Sequence, residues 1–315
     1  MIWVSWRLHR TQLLIIGTLA VLAAVAMAMT GVRSTSTSTS SLAVHDVQAL
    51  VWGLLFALPV ASGVVVGVTV TARERERFTN RLAWTQGISR TRWLLSTLAP
   101  VAVAGSVAMA LISSVATWWV AASVEAPPIF PNLFDVSGVV PVGYFLGSMA
   151  LGVLAGAVFR SESFAGWVAG IGSVAARIVV RTFVRPHLAP MVHLAPVLNG
   201  PGSTWSTVPG GGEPALGWLL NQGWVPVGRT TPLPGHPWFS SLSAFNGYRC
   251  PVVTGSGFRS SVYSDCADPA RLHFVVNYQP PSHYWLLQAG EAGIFVAAAA
   301  AAIGLAVFLL RRSSE

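Results

Sequence analysis

The 315-residue sequence contains no lysine; all nineteen of its basic residues are arginine. That absence excludes a Gly-x-x-x-x-Gly-Lys-(Ser/Thr) phosphate loop, so the chain cannot hydrolyse ATP at a site of that kind. Charge of either sign is scarce, at 10% of residues, where a soluble domain carries about a quarter. Too little remains to coat a water-facing surface. Cysteine occurs only at Cys250 and Cys266, which excludes a disulfide-dense secreted module. What is present is apolar: 53% of residues are hydrophobic and the mean hydropathy is +0.60, which excludes disorder and places the chain in a membrane. In such a chain the net charge of +8 acts through where the arginines fall, and it supports no nucleic-acid partner.

Apolar stretches long enough to cross a hydrocarbon core of about 30 Å lie at 13–30, 48–71, 94–122, 139–158, 164–184 and 285–310. The fold class expected is therefore an all-α integral membrane protein with six spanning helices. Arg7 and Arg10 precede the first span. Arg73, Arg75, Arg77, Arg81, Arg90 and Arg92 lie between the second and third, Arg160 between the fourth and fifth, and Arg311 and Arg312 after the last. The short loops 31–47 and 123–138 hold only Arg33, and carry Asp46, Glu125 and Asp135. Basic residues favour the cytoplasmic side, so both termini are expected there.

The long loop 185–283 then lies outside, and with 14 prolines and 12 glycines it is expected to hold little regular structure. It divides the chain into 1–184, the extracytoplasmic loop domain 185–283, and 284–315 with the sixth helix and a cytoplasmic tail. Both cysteines fall in it. In an oxidising compartment a Cys250–Cys266 bridge is the expected state and two free thiols the alternative. The N-terminus has a second reading too, since Arg7 and Arg10 followed by an apolar run and Ala26-Met27-Ala28 match a cleavable signal peptide. Retention is favoured by the length of the run and by Trp3-Val4-Ser5-Trp6-Arg7, which suits an interfacial anchor.

Between the second and third spans, residues 72–93 form a charged cytoplasmic extension. Glu74, Arg75, Glu76 and Arg77 alternate in sign, an amphipathic segment with Leu82, Trp84 and Ile88 follows, and a turn is expected near Gly87. Six arginines beside a bilayer also serve to hold topology and touch anionic lipid. The run Glu74 to Arg77 followed by Thr79, Leu82, Ser89 and Arg90 resembles the Glu-x-Glu-(Arg/Lys)-Gly-Thr…Leu…Ser-Arg pattern of ABC exporter permease subunits, in the class with six helices per half-transporter. Phe78 stands where that family usually has glycine. Actinobacterial-type members are similar also at Arg81-Leu82-Ala83-Trp84-Thr85-Gln86, at Arg185-Pro186-His187, and at Tyr278-Gln279-Pro280 leading to Trp285, Gln288 and Glu291.

The resemblance implies a permease that moves an unidentified substrate, with no cofactor of its own. It implies ATP and Mg on a separate ATP-binding subunit, which receives Glu74, Glu76, Arg77, Thr79, Leu82, Trp84, Ser89 and Arg90, and a second permease half beside this one in the cytoplasmic membrane.

Rival readings are weaker. His187, His193, His236, His273 and His283 share the external loop with Asp265 and Asp268, but their spacing matches no compact metal-ligand set. A membrane-embedded transferase would need external carboxylates, and the short loops offer only Asp46, Glu125 and Asp135. A non-transporting sensor or scaffold that reads a signal through 185–283 needs no ATPase partner. Pro59 and Pro100 interrupt the second and third spans, as bends used in transport or as static kinks. Within the fifth span Arg177, Arg181 and Arg185 recur every four residues on one face. Arg181 and Arg185 are placed to snorkel outward, whereas Arg177 matches in depth the only acid of the sixth span, Glu291. An intramembrane Arg177–Glu291 pair is therefore expected.

Overall fold

The computed structural model describes residues 17–18, 42–73, 90–123, 129–159, 161–194, 217–226 and 272–312. The first expected span, the segment 74–89 and both cysteines lie outside these, apart from Gly17 and Thr18, which are helical. Five described helices are long and apolar enough to cross a membrane: Leu50–Ala72, Thr91–Trp119, Val140–Val158, Glu162–His187 and Pro281–Arg312. The protein is mostly helical and divides into two compact units, residues 1–188 with 285–315, and residues 189–284.

In the first unit α1 (Leu42–Val68) runs on through a π-helical turn, Thr69–Arg73. The next helix, α2 (Arg90–Ser123), has 34 residues and thus a length of about 50 Å, so it outruns the hydrocarbon core. A single turn, α3 (Pro131–Phe134), leads into α4 (Val140–Val158). Helix α5 (Glu162–Val179) starts where the Ser161 hydroxyl accepts from Phe164 N–H, and extends through π-helical Val180–Val184 and 3-10 Arg185–His187. The last helix, α6 (Tyr284–Arg312), closes the unit.

Helix α4 is the hub. Without water in the bilayer core, helices associate through close packing, which small residues permit. Gly67 on α1 meets Gly152 on α4, Gly63 packs on the α4 backbone at Phe145 and Met149, and Gly156 of α4 packs on Thr71 and Ala72. A Cβ on Gly67 would sit 3.0 Å from Gly152 Cα and closer still to the Met149 carbonyl, so the backbones touch and only glycine fits. Thr71 ties the same seam by donating its hydroxyl to Val153 O at 3.2 Å. On its other sides α4 sends Phe145 over Gly105 of α2 and presents Gly147 to Phe295 of α6. Val51, Leu94, Met109, Trp119, Met149 and Val153 fill the core between α1, α2 and α4. The outward faces are apolar as well. Trp167, Ile171 and Phe183 on α5 and Val103 and Leu111 on α2 are largely exposed, as a bilayer-facing surface requires.

The expectation of little regular structure across 185–283 falls for the most part outside the described residues, but within them the second unit does hold regular structure. It contains an antiparallel sheet in the order β1-β3-β2, formed by Val192–Leu194, Leu272–Gln279 and Trp218–Pro226. Proline and glycine content averaged over the whole loop conceals strands confined to a few segments of it. The central strand β3, Leu-His-Phe-Val-Val-Asn-Tyr-Gln, is rich in the β-branched and aromatic residues that suit a paired pleated surface. β2 begins after Gly217, whose φ of 100° favours glycine, and is irregular between Leu219 and Asn221. Buried Gln279 donates to Ala189 O at 2.9 Å and anchors the segment entering β1.

Candidate functional site: a buried charge cluster

At the end of the first unit where α4 and α6 begin and α5 finishes, four segments place ionisable groups inside the protein. Asp135 follows α3 in a short connection that the structure pins down from outside. Ser113 on α2 donates its hydroxyl to Gly138 O at 2.6 Å, and Thr117 Oγ1 accepts from Gly138 N–H at 3.3 Å. Gly138 adopts φ 69°, which lets the chain turn sharply into α4. No side chain local in sequence caps α4. Its N-terminal amides are met instead by Gln288 of α6, whose Oε1 accepts from Val139 N–H and Val140 N–H, each at 2.9 Å. The Gln288 amide donates back to Phe134 O at 3.0 Å. One carboxamide thus joins α3, α4 and α6 and satisfies donors that every helix start leaves open.

Inside this frame Arg185 is fully buried between two fully buried acids. Its Nε donates to Glu291 Oε2 at 2.6 Å, and its Nη2 reaches Glu291 Oε1 at 2.9 Å and pairs with Asp135. Tyr144, one turn into α4, stands between the acids. Its hydroxyl lies 2.7 Å from Glu291 Oε1 and 3.1 Å from Asp135 Oδ1, and it accepts from Arg185 Nη2 at 3.1 Å. The guanidinium carbon lies 4.4 Å over the Phe134 ring. Desolvating charges is costly, and such a group persists only where pairing and hydrogen bonds compensate, as they do here at Nε and Nη2, while the buried Nη1 has no hydrogen-bond partner among the described residues.

Asp135 also faces two further arginines of α5. Arg181 donates to Asp135 Oδ2 at 3.1 Å and to Asn132 Oδ1 at 2.8 Å, while Arg177 Nη2 lies 3.5 Å from Asp135 Oδ2. Steps of four residues overshoot a full α turn by about 40°. A π turn holds more residues, so the π-helical stretch 180–184 keeps Arg185 near the face that carries Arg177 and Arg181.

The expected Arg177–Glu291 pair is thereby corrected: the partner of Glu291 is Arg185, and Arg177 pairs with Asp135. The expectation ended the fifth helix at Val184 and let Arg185 snorkel outward. In fact the helix continues to His187 and buries Arg185 completely. It also left Asp135 on a water-facing loop, whereas that carboxylate is fully buried. Gln288 and Tyr144 were missed as members of the site. Gln288 had a signal in its position three residues before Glu291, about one helical turn away on the same face. Tyr144 had none beyond being a polar group in an apolar helix.

Both acids are held by arginine, which leaves neither free as a general base or metal ligand. Among the described residues no group of three His, Cys, Asp or Glu comes together to hold a metal. The imidazoles instead meet nearby acceptors or amides: His187 Nδ1 lies 2.9 Å from Phe183 O, His193 Nδ1 2.7 Å from Asn277 Oδ1, and His283 Nδ1 2.8 Å from Gln279 Oε1. Of the residues expected to couple to an ATPase, Glu74, Glu76, Arg77, Thr79, Leu82, Trp84 and Ser89 lie outside the described residues, and Arg90 is the first residue of α2.

The chemistry of the cluster is that of a structural tie among α3, α4, α5 and α6, set in a bundle of membrane-spanning helices. No curated protein and no solved structure matches the chain. The family model described as "ABC-2 membrane transporter related" matches residues 20–185, more than half of the sequence and the part that supplies Asp135, Tyr144, Arg177, Arg181 and Arg185. The chain is a multi-pass membrane protein that belongs to the ABC-2 membrane transporter related family.

Proposed function

We propose that this protein is the permease subunit of an ATP-driven ABC exporter in the cytoplasmic membrane, with six spans and both termini in the cytoplasm. The observation that carries the reading is the family match over 20–185, which takes in most of the first five expected spans and the charged segment 74–89. The lack of any lysine excludes a Walker-type phosphate loop from this chain, which supports a reading in which ATP and Mg bind a separate subunit. In this arrangement Glu74, Glu76, Arg77, Thr79, Leu82, Trp84, Ser89 and Arg90 dock on that subunit. A second permease half, identical or different, completes the translocation path. The charge cluster then lies at the extracytoplasmic end, where it holds the outer ends of α4, α5 and α6 together while the cytoplasmic end is driven.

The test is co-purification of an ATP-binding subunit with the full chain, together with Glu74→Arg and Glu76→Arg variants. Loss of the partner or of substrate-stimulated ATP hydrolysis, with membrane insertion intact, is the expected result. Unchanged binding and hydrolysis in the reversed variants would remove 74–90 from the coupling role. The absence of any ATPase partner would favour a sensor or scaffold built on the separate 189–284 unit.

A further inference from the structure

Arg177 makes one contact that the charge cluster does not require. Its Nη1 leaves α5 and donates to the backbone carbonyl of Phe56 on α1 at 2.7 Å. A helix-interior carbonyl ordinarily takes its hydrogen bond from the amide four residues on, and seldom needs a side chain from another helix. Phe56 lies in the turn before Pro59, the only proline in α1. Proline has no N–H for the carbonyl of Leu55, and its ring pushes that carbonyl aside; the bend this imposes weakens the next bond as well, from Val60 N–H to Phe56 O, and leaves that oxygen open to an outside donor. Two turns of α1 share the disturbance, because the Ser62 hydroxyl donates to Leu58 O at 2.6 Å and reaches Pro59 O at 3.3 Å. Such back-bonding bends helices further.

The guanidinium is held firmly where it crosses. It lies between two rings, 4.8 Å from the centre of Phe56 and 4.4 Å from the centre of Tyr144, with Asp135 on its edge. Below Pro59, α1 is locked to α4 through Gly63 and Gly67. Above it, among the described residues, the contacts are between side chains and not backbones: Gly53 has open space around it, Val51, Leu55 and Leu58 enter the core, and Trp52 contacts Phe56 and Trp119 through their rings.

We propose that Arg177 is a clasp across the Pro59 break, a positioning residue that fixes the outer half of α1 to α5 and α4. The inner half is immobilised by its glycine seam. The outer half, 42–58, swings at Pro59 when Arg177 releases the Phe56 carbonyl. Arg177 is thereby the point at which the charge cluster controls the angle of α1.

A double-mutant cycle between two positions on different helices tests this in the full-length protein in detergent micelles. Amide hydrogen exchange over residues 53–62 and the thermal midpoint are read for the wild type, Arg177→Met, Pro59→Ala and the double variant. Arg177→Met keeps the length of the side chain and removes its donors, and Asp135 retains Arg181 and Arg185. With Pro59 present, Arg177→Met should speed exchange of this segment about tenfold, the scale of losing one charged hydrogen bond. In the Pro59→Ala background, where the alanine N–H returns a partner to Leu55 O and the straightened turn restores the Val60 N–H bond to Phe56 O, the same change should speed exchange less than about threefold. If Arg177→Met does not fold alone, recovery of monodisperse protein in the double variant supports the clasp, and failure in both backgrounds overturns it. Equal acceleration with and without Pro59, or none in either, also overturns it. The cycle needs no ATPase subunit, so its outcome is independent of the permease reading.

Discussion

Arg185 and Glu291 stand 106 positions apart in sequence, yet meet at 2.6 Å, both without solvent exposure. The last helix is thereby tied to the end of α5 inside the protein, where an uncompensated charge is most costly. Removing one member of a buried pair costs about 3–5 kcal/mol, whereas removing both leaves no orphaned charge. Arg185→Met and Glu291→Gln should each lower the thermal midpoint and the yield of monodisperse protein, and the double variant should recover much of the loss. The same cycle between Arg177 and Glu291 should show little coupling beyond what passes through Tyr144 and Asp135. Larger coupling there than for Arg185 would reverse the assignment.

Gln288 should behave as a helix cap supplied from another helix. Gln288→Leu preserves bulk but leaves the Val139 and Val140 amides without their acceptor, at about 1–3 kcal/mol in the interior. Thermal unfolding in detergent measures it. A loss confined to a few tenths of a kcal/mol would show that water or a shifted backbone replaces the carboxamide.

The glycine seam predicts a contrast within one residue type. Gly67→Ala or Gly152→Ala forces a methyl into the facing backbone, and overpacking of this kind costs about 1–3 kcal/mol or more. Gly166→Ala, on α5 with open space around it, should be neutral or stabilise by about 0.5–1 kcal/mol. Equal thermal shifts at the three positions would show that α1 and α4 are less closely joined than their backbones indicate.

A bridge between Cys250 and Cys266 is the expected state of protein purified from an oxidising compartment. Non-reducing peptide mapping should recover the two as one linked pair, and Cys250→Ser should lower stability of the 189–284 unit by about 3 kcal/mol while the spans stay inserted. Recovery of two free thiols would settle the matter the other way.

The membrane class was legible in composition, because a bilayer demands long apolar runs and tolerates few charges, and both features are local in sequence. The five described spans follow from those runs. So does the importance of the arginines of α5, whose four-residue spacing put them on one face before any partner was known. Arg185, Gln288 and Glu291 are all points of the family resemblance, although nothing in that pattern says that they touch. Pairing was decided in three dimensions. Whether Glu291 takes Arg177 or Arg185 depends on a π turn at 180–184 and on where α5 ends, and a shift of one turn moves a side chain by about 5 Å. Asp135 read as a loop acid because its neighbours in sequence are turn residues. It is buried because Ser113, Thr117 and Gln288, all distant in the chain, fold that turn into the bundle. Hydropathy and charge sum over neighbours in sequence and so fix what crosses the membrane; the partner of a buried charge depends on helix phase and contacts between distant segments, which only the tertiary structure supplies.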